Sequence, residues 1–283
     1  MRLAVIIVNY NTRDLLRDCL KSLEKTAPWA RVFVVDNASD DGSAAMVADE
    51  FPDVTLLAQD KNTWFCGGNN IGIQAAKDAN ESLIRSYGLL LNPDTVVHRS
   101  AIETMVAFMG ANPEYAGCTA QLRYPDGSVQ RTCSRVPTFR YLLLNHTPLG
   151  ALFPEERAEA AAHHWYDDEG FTREQSRDVE VMPGSCTLMR LYDLWLDDDL
   201  RLYFPEDDLA QRYQGKRFRF LAEATITHRE KAATQSWLAT RVYFRDMVVY
   251  TRKHHGFGPA ILLWALTRPV WVGMWFASLW RRR

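Results

Sequence analysis

No two of the five cysteines (Cys19, Cys66, Cys118, Cys133, Cys186) stand in a C-x-x-C pair. An odd, scattered set of this kind gives neither a zinc site nor a disulfide framework, and a reducing cytoplasm suits it best. The N-terminus lacks a charged segment followed by an apolar one. MRLAVIIVNY instead runs straight into a strand and a turn, which is not the pattern of a secretory signal. G-x-G-x-x-G and G-x-x-x-x-G-K-[ST] are both missing. The Gly67-Gly68 pair neither has the dinucleotide spacing nor follows the first strand, so a Rossmann cofactor and a P-loop are excluded. Nor is there an uninterrupted run of about 20 apolar residues, the length a membrane span needs. Arg268-Pro269 interrupts the only candidate, residues 257–280.

What is present amounts to 283 residues, 47% hydrophobic, enough for one sizeable core and an appendage. Net charge is −2 but uneven. From His228 onward ten Lys or Arg face two acids, about +8, which leaves about −10 on residues 1–227. An acidic body gives no support to nucleic acid as a partner. The basic tail carries four of the nine tryptophans (Trp264, Trp271, Trp275, Trp280) and is bordered by Arg252-Lys253 and Arg281–Arg283. That composition suits a pair of helices lying in the interface of an anionic membrane, broken at Arg268-Pro269. Packing on the protein's own body or on another subunit is the plainer alternative.

Residues 3–8 (LAVIIV) form a continuous apolar run, as in a strand covered on both faces. A helical spacing follows over 14–25, then a strand at 32–35, a helix ending near Glu50 and a strand at 54–57. Next come a Gly/Asn loop, a helix over about 69–86 and a strand at 89–91. The βαβαβ alternation predicts a parallel, doubly wound sheet. Beyond it the pattern predicts a helix at 101–109, a turn at 124–128 and an irregular excursion over 141–175. A return to the sheet at 180–190, a helix at 209–214 and a strand at 218–226 complete the body.

Three polar loops follow the hydrophobic strands: Asn9-Tyr10-Asn11-Thr12, Asp36-Asn37-Ala38-Ser39 and Asn92-Pro93-Asp94. Such loops meet at the C-terminal edge of an open α/β sheet, where ligands bind. Asn, Asp, Ser and Thr also cap helices and close turns, so Thr12, Ser39 and Ser43 are expected to cap in part. Paired glycines ahead of a helix would let a phosphate approach its N-terminus, which makes residues 66–72 a candidate wall of a nucleotide site.

Taken in order, VIIVNYNT, VVDNASDDGS, NTWFCGGNN and LLLNPD resemble the nucleotide-binding half of family 2 glycosyltransferases. YPDGSVQRTCSRVPT, PGSCTLMR and YFPEDDLAQRYQGKRFRFLAEATITH resemble that family's acceptor half, particularly its bacterial rhamnosyltransferase-like branch. The resemblance implies an α/β GT-A fold, a mixed, mainly parallel sheet flanked by helices, over residues 1–228. Residues 1–96 would bind the nucleotide sugar, 97–228 the acceptor, and 229–283 would form the basic, Trp-rich helical tail. It implies an inverting transfer of sugar from a nucleoside diphosphate to a hydroxyl of a lipid-linked or cell-envelope glycan, at the inner face of the cell membrane. dTDP-L-rhamnose is the first expectation for the donor and a UDP-hexose the alternative. A catalytically inactive sugar-nucleotide-binding protein is the rival from another class.

By the same resemblance, Asn9, Asn11 and Asp36 would hold the base and ribose, with Asn70 near the nucleotide. Asn92 would sit by the ribose, and Asp94 would bind a divalent metal, Mn²⁺ or Mg²⁺, with His228 completing its shell. An oxygen-rich site neutralises a leaving diphosphate, and an imidazole tilts the choice toward Mn²⁺. Relatives commonly read Glu-Asp-x-Asp-Leu where this chain has Pro205-Glu206-Asp207-Asp208-Leu209, so the general base falls on Glu206 or Asp207. Trp64 stands where relatives have a smaller motif and would narrow the donor pocket. Arg131, Arg135 and Asp208 are candidates for contact with the acceptor or the diphosphate, with a solvated surface as the alternative for the arginines.

Overall fold

A computed structural model describes residues 2–79, 83, 86–230 and 237–280, the last twelve of these by backbone only. Strands β1 (Arg2–Asn9), β2 (Arg31–Asp36), β3 (Thr55–Ala58) and β4 (Ser86–Leu91) pair in parallel in the order 3-2-1-4. Helices α1 (Arg13–Thr26), α2 (Ser43–Glu50) and α3 (Trp64–Asp78) make the crossovers. Leu3, Val5 and Ile7 of β1 enter one core layer with Leu16, Leu20 and Leu23 of α1, while Ala4 and Ile6 enter the other with Ile73 and Ala76 of α3. A strand buried on both faces therefore reads as an unbroken apolar run.

The second half extends the same sheet: β5 (Thr95–Val97), α4 (Ala101–Ala111), β6 (Tyr115–Arg123), β7 (Arg177–Val179), β8 (Cys186–Arg190) and β9 (Arg217–His228). Its order continues β4-β8-β6-β9-β5, with β7 also on β9. β8 is antiparallel to both β4 and β6, and β5 is antiparallel to β9. The pairing of Thr95 with His228 brings the end of β9 beside the end of β4.

Several boundaries differ from the sequence reading. α3 starts at Trp64, so Gly67 and Gly68 lie inside its first turn rather than ahead of it. Their neighbours explain the glycines: a Cβ on Gly68 would lie 2.7 Å from Val8 Cγ1, and one on Gly72 2.5 Å from Ile6 Cγ2. One turn apart, they let α3 press onto β1. Gly68 and Gly72 serve this packing. The 141–175 excursion is ordered, with α5 (Phe139–His146) and α6 (Pro154–His164) packed on each other. Its alternating small and charged residues give a weak apolar stripe, which is why no helix was legible there. α7 spans Pro205–Arg212; Pro205 at its first helical position, where the missing N–H costs nothing, moves its start four residues ahead of the expected one.

The tail forms α8 (Trp237–His255) and α9 (Phe257–Trp280), and α9 runs through Arg268-Pro269 without the expected break. Proline removes one N–H and crowds the preceding turn, a local loss that the rest of the helix outlasts. α8 is not an appendage: Met247 and Tyr250, with Leu263 of α9, are fully buried in the same core as Ile6 and Phe220. Among the described residues no helix is long and apolar enough to cross a membrane. The side chains of Trp271, Trp275 and Trp280, and Arg281–Arg283, lie outside the described residues.

Candidate active site

The ends of β1, β2 and β4 open on a cleft of about 840 Å³. Tyr10, Thr12, Asn37, Trp64, Asn92 and Asp94 line it from the first half of the chain, and Arg131, Gly184, Glu206, Asp207, His228 and Tyr243 from the second. The floor is built by Asn9 and Asp36, adjacent in the β1–β2 register. Asn9 Nδ2 donates to Asp36 Oδ1 at 2.8 Å, Asn9 Oδ1 accepts from Thr12 Oγ1 at 2.6 Å, and Ser39 N–H donates to Asp36 Oδ2 at 3.0 Å. Both residues are buried beneath the cleft rather than lining it. Asn11, at φ +54°, is exposed and accepts from the Asp40 N–H, locking the two loops together. Thr12 does not cap α1; Asp41 does, accepting from the Arg13 N–H at 2.8 Å.

Asn37 lies on the cleft wall where sequence reasoning had weighed Asp36. Its amide donates to the Trp64 carbonyl and accepts from Thr63 Oγ1, fixing the Trp64 turn, which itself has φ +64°. Asn92 is on the wall, held through its backbone to Ser185 and Thr95. Asn70 is not: both ends of its amide bind the 196–198 loop, at Leu196 and Asp198.

Asp94 and His228 meet. Asp94 Oδ1 and His228 Nε2 are 3.3 Å apart, and the Arg229 N–H donates to the Asp94 carbonyl at 3.0 Å. Gln130 sets the imidazole tautomer. Gln130 Nε2 donates to the His228 carbonyl at 2.6 Å, so its Oε1 faces His228 Nδ1 at 3.0 Å and can only accept. Nδ1 must then carry the proton, and a neutral ring presents the Nε2 lone pair to a carboxylate. Two acceptors so close need a proton or a metal ion between them, and a histidine braced at its other nitrogen is the usual form of a metal ligand. Among the described residues no third His, Cys, Asp or Glu joins the pair. The pair thus fits part of the shell of an oxygen-seeking divalent ion, with substrate oxygens and water left to fill the rest.

Glu206 and Asp207 line the same cleft from the first turn of α7. Burial pushes both carboxyls above their usual range, Asp207 further because it also feels Glu206 and Asp208. Among the described residues neither forms an ion pair. Glu206 lies toward Gly184, where an added Cβ would be 3.5 Å from its Oε1. Asp208 faces the other way, fully buried and bound by Arg212, Lys253 and His254. A helix turn carrying three acids sends two into the cleft and one into the core.

Arg131 reaches the cleft, paired with Asp167 and 5.0 Å over the Trp165 ring. Arg135 does not; it pairs with Asp168 and Glu169 and lies 4.3 Å over Tyr166. The cleft's inner wall, from Tyr141, His146, His164 and Tyr243, was missed in the sequence. His164 stacks on Tyr141 at 3.9 Å, and Tyr243 Oη is 2.9 Å from His146 Nδ1. Burial pulls these histidines down to about 4 (His146) and about 3 (His164), so both are neutral. The His163-His164-Trp165 cluster was the one signal available, and nothing in it revealed Tyr243 as its partner.

Comparison with known proteins adds a consistent set of likenesses. The model of the family described as Glycosyl transferase family 2 matches residues 4–190. Over 278 residues the chain is 25% identical to N-acetylglucosaminyl-diphospho-decaprenol L-rhamnosyltransferase of Mycobacterium tuberculosis, covering 93% of this chain and 89% of that one. Its fold is similar to that of mannosyltransferase PcManGT from Pyrobaculum calidifontis in complex with GDP-Man and Mn²⁺, with TM-score 0.56 and 15% identity over 89% of this chain. The chain spans 63% of that structure's length. It is also similar to the 1–349 segment of S. aureus TarS in complex with UDP-GlcNAc, with TM-score 0.51 and 14% identity, covering 89% of this chain and 67% of that one.

Proposed function

Because the chain belongs to glycosyl transferase family 2, we propose that it is an inverting, metal-dependent enzyme that moves a sugar from a nucleoside diphosphate to a hydroxyl of a lipid-linked glycan. The observation that carries this reading is that two carboxylate groups of different character line one cleft. Asp94, with His228, is poised for a cation. Glu206 and Asp207 have no cation partner among the described residues and are raised by burial. Asn92 and the 9–12 and 36–39 loops form the donor half, residues 1–96, and residues 97–228 supply the acceptor side.

When bound, Mn²⁺ or Mg²⁺ held by Asp94 and His228 would neutralise charge on the diphosphate. The chain's own part is positioning and proton transfer. The acceptor hydroxyl must lose its proton to a carboxylate as it attacks. Of two adjacent carboxyls the one that ionises first is the working base. Both carboxyls are raised by burial and titrate as a pair; Glu206, which keeps the helical register of the family's base relative to Leu209 and Arg212, accepts the proton from the acceptor. The Mycobacterium tuberculosis relative is named for rhamnosyl transfer to a diphospho-decaprenol acceptor, which supports dTDP-L-rhamnose as donor and a lipid diphosphate as acceptor, with Arg131 available to its phosphates. An acceptor of that kind supports a site of action at the inner face of the cell membrane. Exposed Phe257, Ile261, Leu262 and Trp264 on α9, next to Arg252 and Arg268, support a contact with anionic lipid.

Calorimetry with dTDP-rhamnose, UDP-hexoses and GDP-mannose, each with and without Mn²⁺, tests the reading. Tight binding of one donor that requires Mn²⁺ and is lost in Asp94→Ala is the expected result. Equal affinity with and without metal in both proteins overturns the metal dependence, and selective binding of a UDP-hexose replaces the donor.

A further inference from the structure

α8 presents Asp246, Tyr250, Lys253 and His254 on one stripe, at i, i+4, i+7 and i+8. That stripe faces the start of α7. Asp246 is fully buried, and its Oδ2 accepts from three successive backbone N–H groups, Arg201 at 3.1 Å, Leu202 at 2.9 Å and Tyr203 at 3.1 Å. Its Oδ1 accepts from Arg245 Nη1 at 2.7 Å. Tyr250 stacks on Phe204, with ring centroids 5.3 Å apart. At the far side of the turn, fully buried Asp208 accepts from Lys253 Nζ at 2.6 Å and lies 2.8 Å from His254 Nε2. Two clamps from one helix thus grip residues 201–204 and residue 208. Glu206 and Asp207 lie between them.

Phe204 sits at φ +65°, a conformation that disfavours a side chain with a Cβ and persists only where its surroundings over-determine it. The Asp246 clamp and the Tyr250 ring supply that determination. With Pro205 as the first residue of α7, the direction of the helix, and so of its first-turn acids, follows from the backbone at 201–204. Three amide bonds to one carboxylate are charge-assisted and strong, and without them the buried Asp246 would keep Arg245 as its one partner among the described residues.

We propose that Asp246 is a positioning residue for sugar transfer: from α8 it fixes the 201–203 backbone and, with Lys253 and His254 on Asp208, aims Glu206 and Asp207 into the cleft. The inference rests on the transferase reading above. It makes the C-terminal helix pair part of the catalytic apparatus, although no residue of α8 that takes part in the clamps touches the reacting atoms.

The test is a mutant cycle in the full chain. Asp246→Asn keeps size while weakening the clamp, and Lys253→Met loosens the other grip without touching 201–203. Donor affinity by calorimetry should stay within about twofold for both. Displacement of a reacting group by about an ångström can cost a hundredfold, so kcat should fall on the order of ten- to a hundredfold in Asp246→Asn and less in Lys253→Met. Hydrogen exchange at 201–208 should quicken. In a Glu206→Gln background, Asp246→Asn should lower the residual rate no further, because it acts only through the acids. Full turnover in Asp246→Asn, or the same fold loss in both backgrounds, overturns the proposal. Should Asp246→Asn not fold, the Lys253→Met arm of the cycle decides by the same criteria. Failure of the transferase reading is distinct: the unaltered protein would then turn over no donor sugar at all.

Discussion

Gln130 decides which nitrogen of His228 carries the proton. By donating to the His228 carbonyl at 2.6 Å it leaves only an acceptor for the ring Nδ1 at 3.0 Å, so that a neutral ring presents its Nε2 lone pair toward Asp94. Removing such a brace typically weakens metal binding ten- to a hundredfold. Gln130→Leu should therefore lose about that factor in Mn²⁺ affinity in the presence of donor nucleotide, measured by calorimetry, while the fold persists. Unchanged affinity would mean the pair holds no metal.

Glu206 and Asp207 give separable outcomes. Asp207→Asn leaves the Glu206 carboxylate in place and should retain most turnover. Glu206→Gln removes the base and should cost on the order of a hundred- to ten-thousandfold in kcat with donor affinity intact. The sign of the pH dependence follows from the upward shift of Glu206. Activity should rise as pH increases through the raised carboxyl value and fall below it, so the acid limb of kcat should lie above the usual carboxylate range of about 4.3. The reverse ranking of the two variants would exchange their roles.

His146 and His164 should make the fold sensitive to acid. Unfolded, each histidine takes up a proton near 6.5, but burial depresses the folded values to about 4 and about 3. Their contribution to stability is complete above 6.5 and is lost as pH falls toward those values, by up to about 1.4 kcal/mol per pH unit for each. The raised carboxyls of Glu206 and Asp207 work in the opposite direction. His164→Phe keeps the stack on Tyr141 and removes one titration. Its denaturation free energy should fall less steeply between pH 6.5 and 4 than that of the parent; parallel curves would contradict the assignment.

α9 offers a membrane test that leaves the core alone. Ala260, Leu263 and Thr267 are buried, so deleting the helix would expose the core, whereas Phe257, Ile261, Leu262 and Trp264 are exposed. Replacing these four with serine should reduce co-sedimentation with phosphatidylglycerol vesicles by at least about tenfold. Each large apolar side chain withdrawn from lipid removes roughly 1.5 kcal/mol or more. Equal sedimentation of both proteins would rule out this face as the contact.

Much of the first half was legible because its signals are local. LAVIIV is a strand covered on both faces, and the polar loop after each strand marks the ligand edge, which is how Asn92 and Asp94 stood out. The residues that cross the sheet were less so. Asp94 and His228 become neighbours through the β5–β9 pairing, and no local pattern reports that pairing; the two positions came from family resemblance. Asn70 and Arg135 have the right chemistry for a site and use it on the 196–198 loop and the 168–169 acids, a choice decided by packing alone. Asp208 shares its turn with Glu206 and Asp207, and only the facing Lys253 and His254 reveal that it points inward. Gln130, whose influence on His228 is large, carries no sequence signal of its own.

The interleaved strand order has a consequence for how the cleft comes into being. The donor-side loops are complete once Asp94 has been made, yet β9 must still be synthesised and inserted between β6 and β5 before His228 reaches it. α8, with the Asp246 clamp, comes later still. During synthesis from the N-terminus, a growing chain would therefore display the donor-side loops before the second half of the cleft exists. Such non-local closure is slow, and Asp94 meets His228 only once β9 is in place.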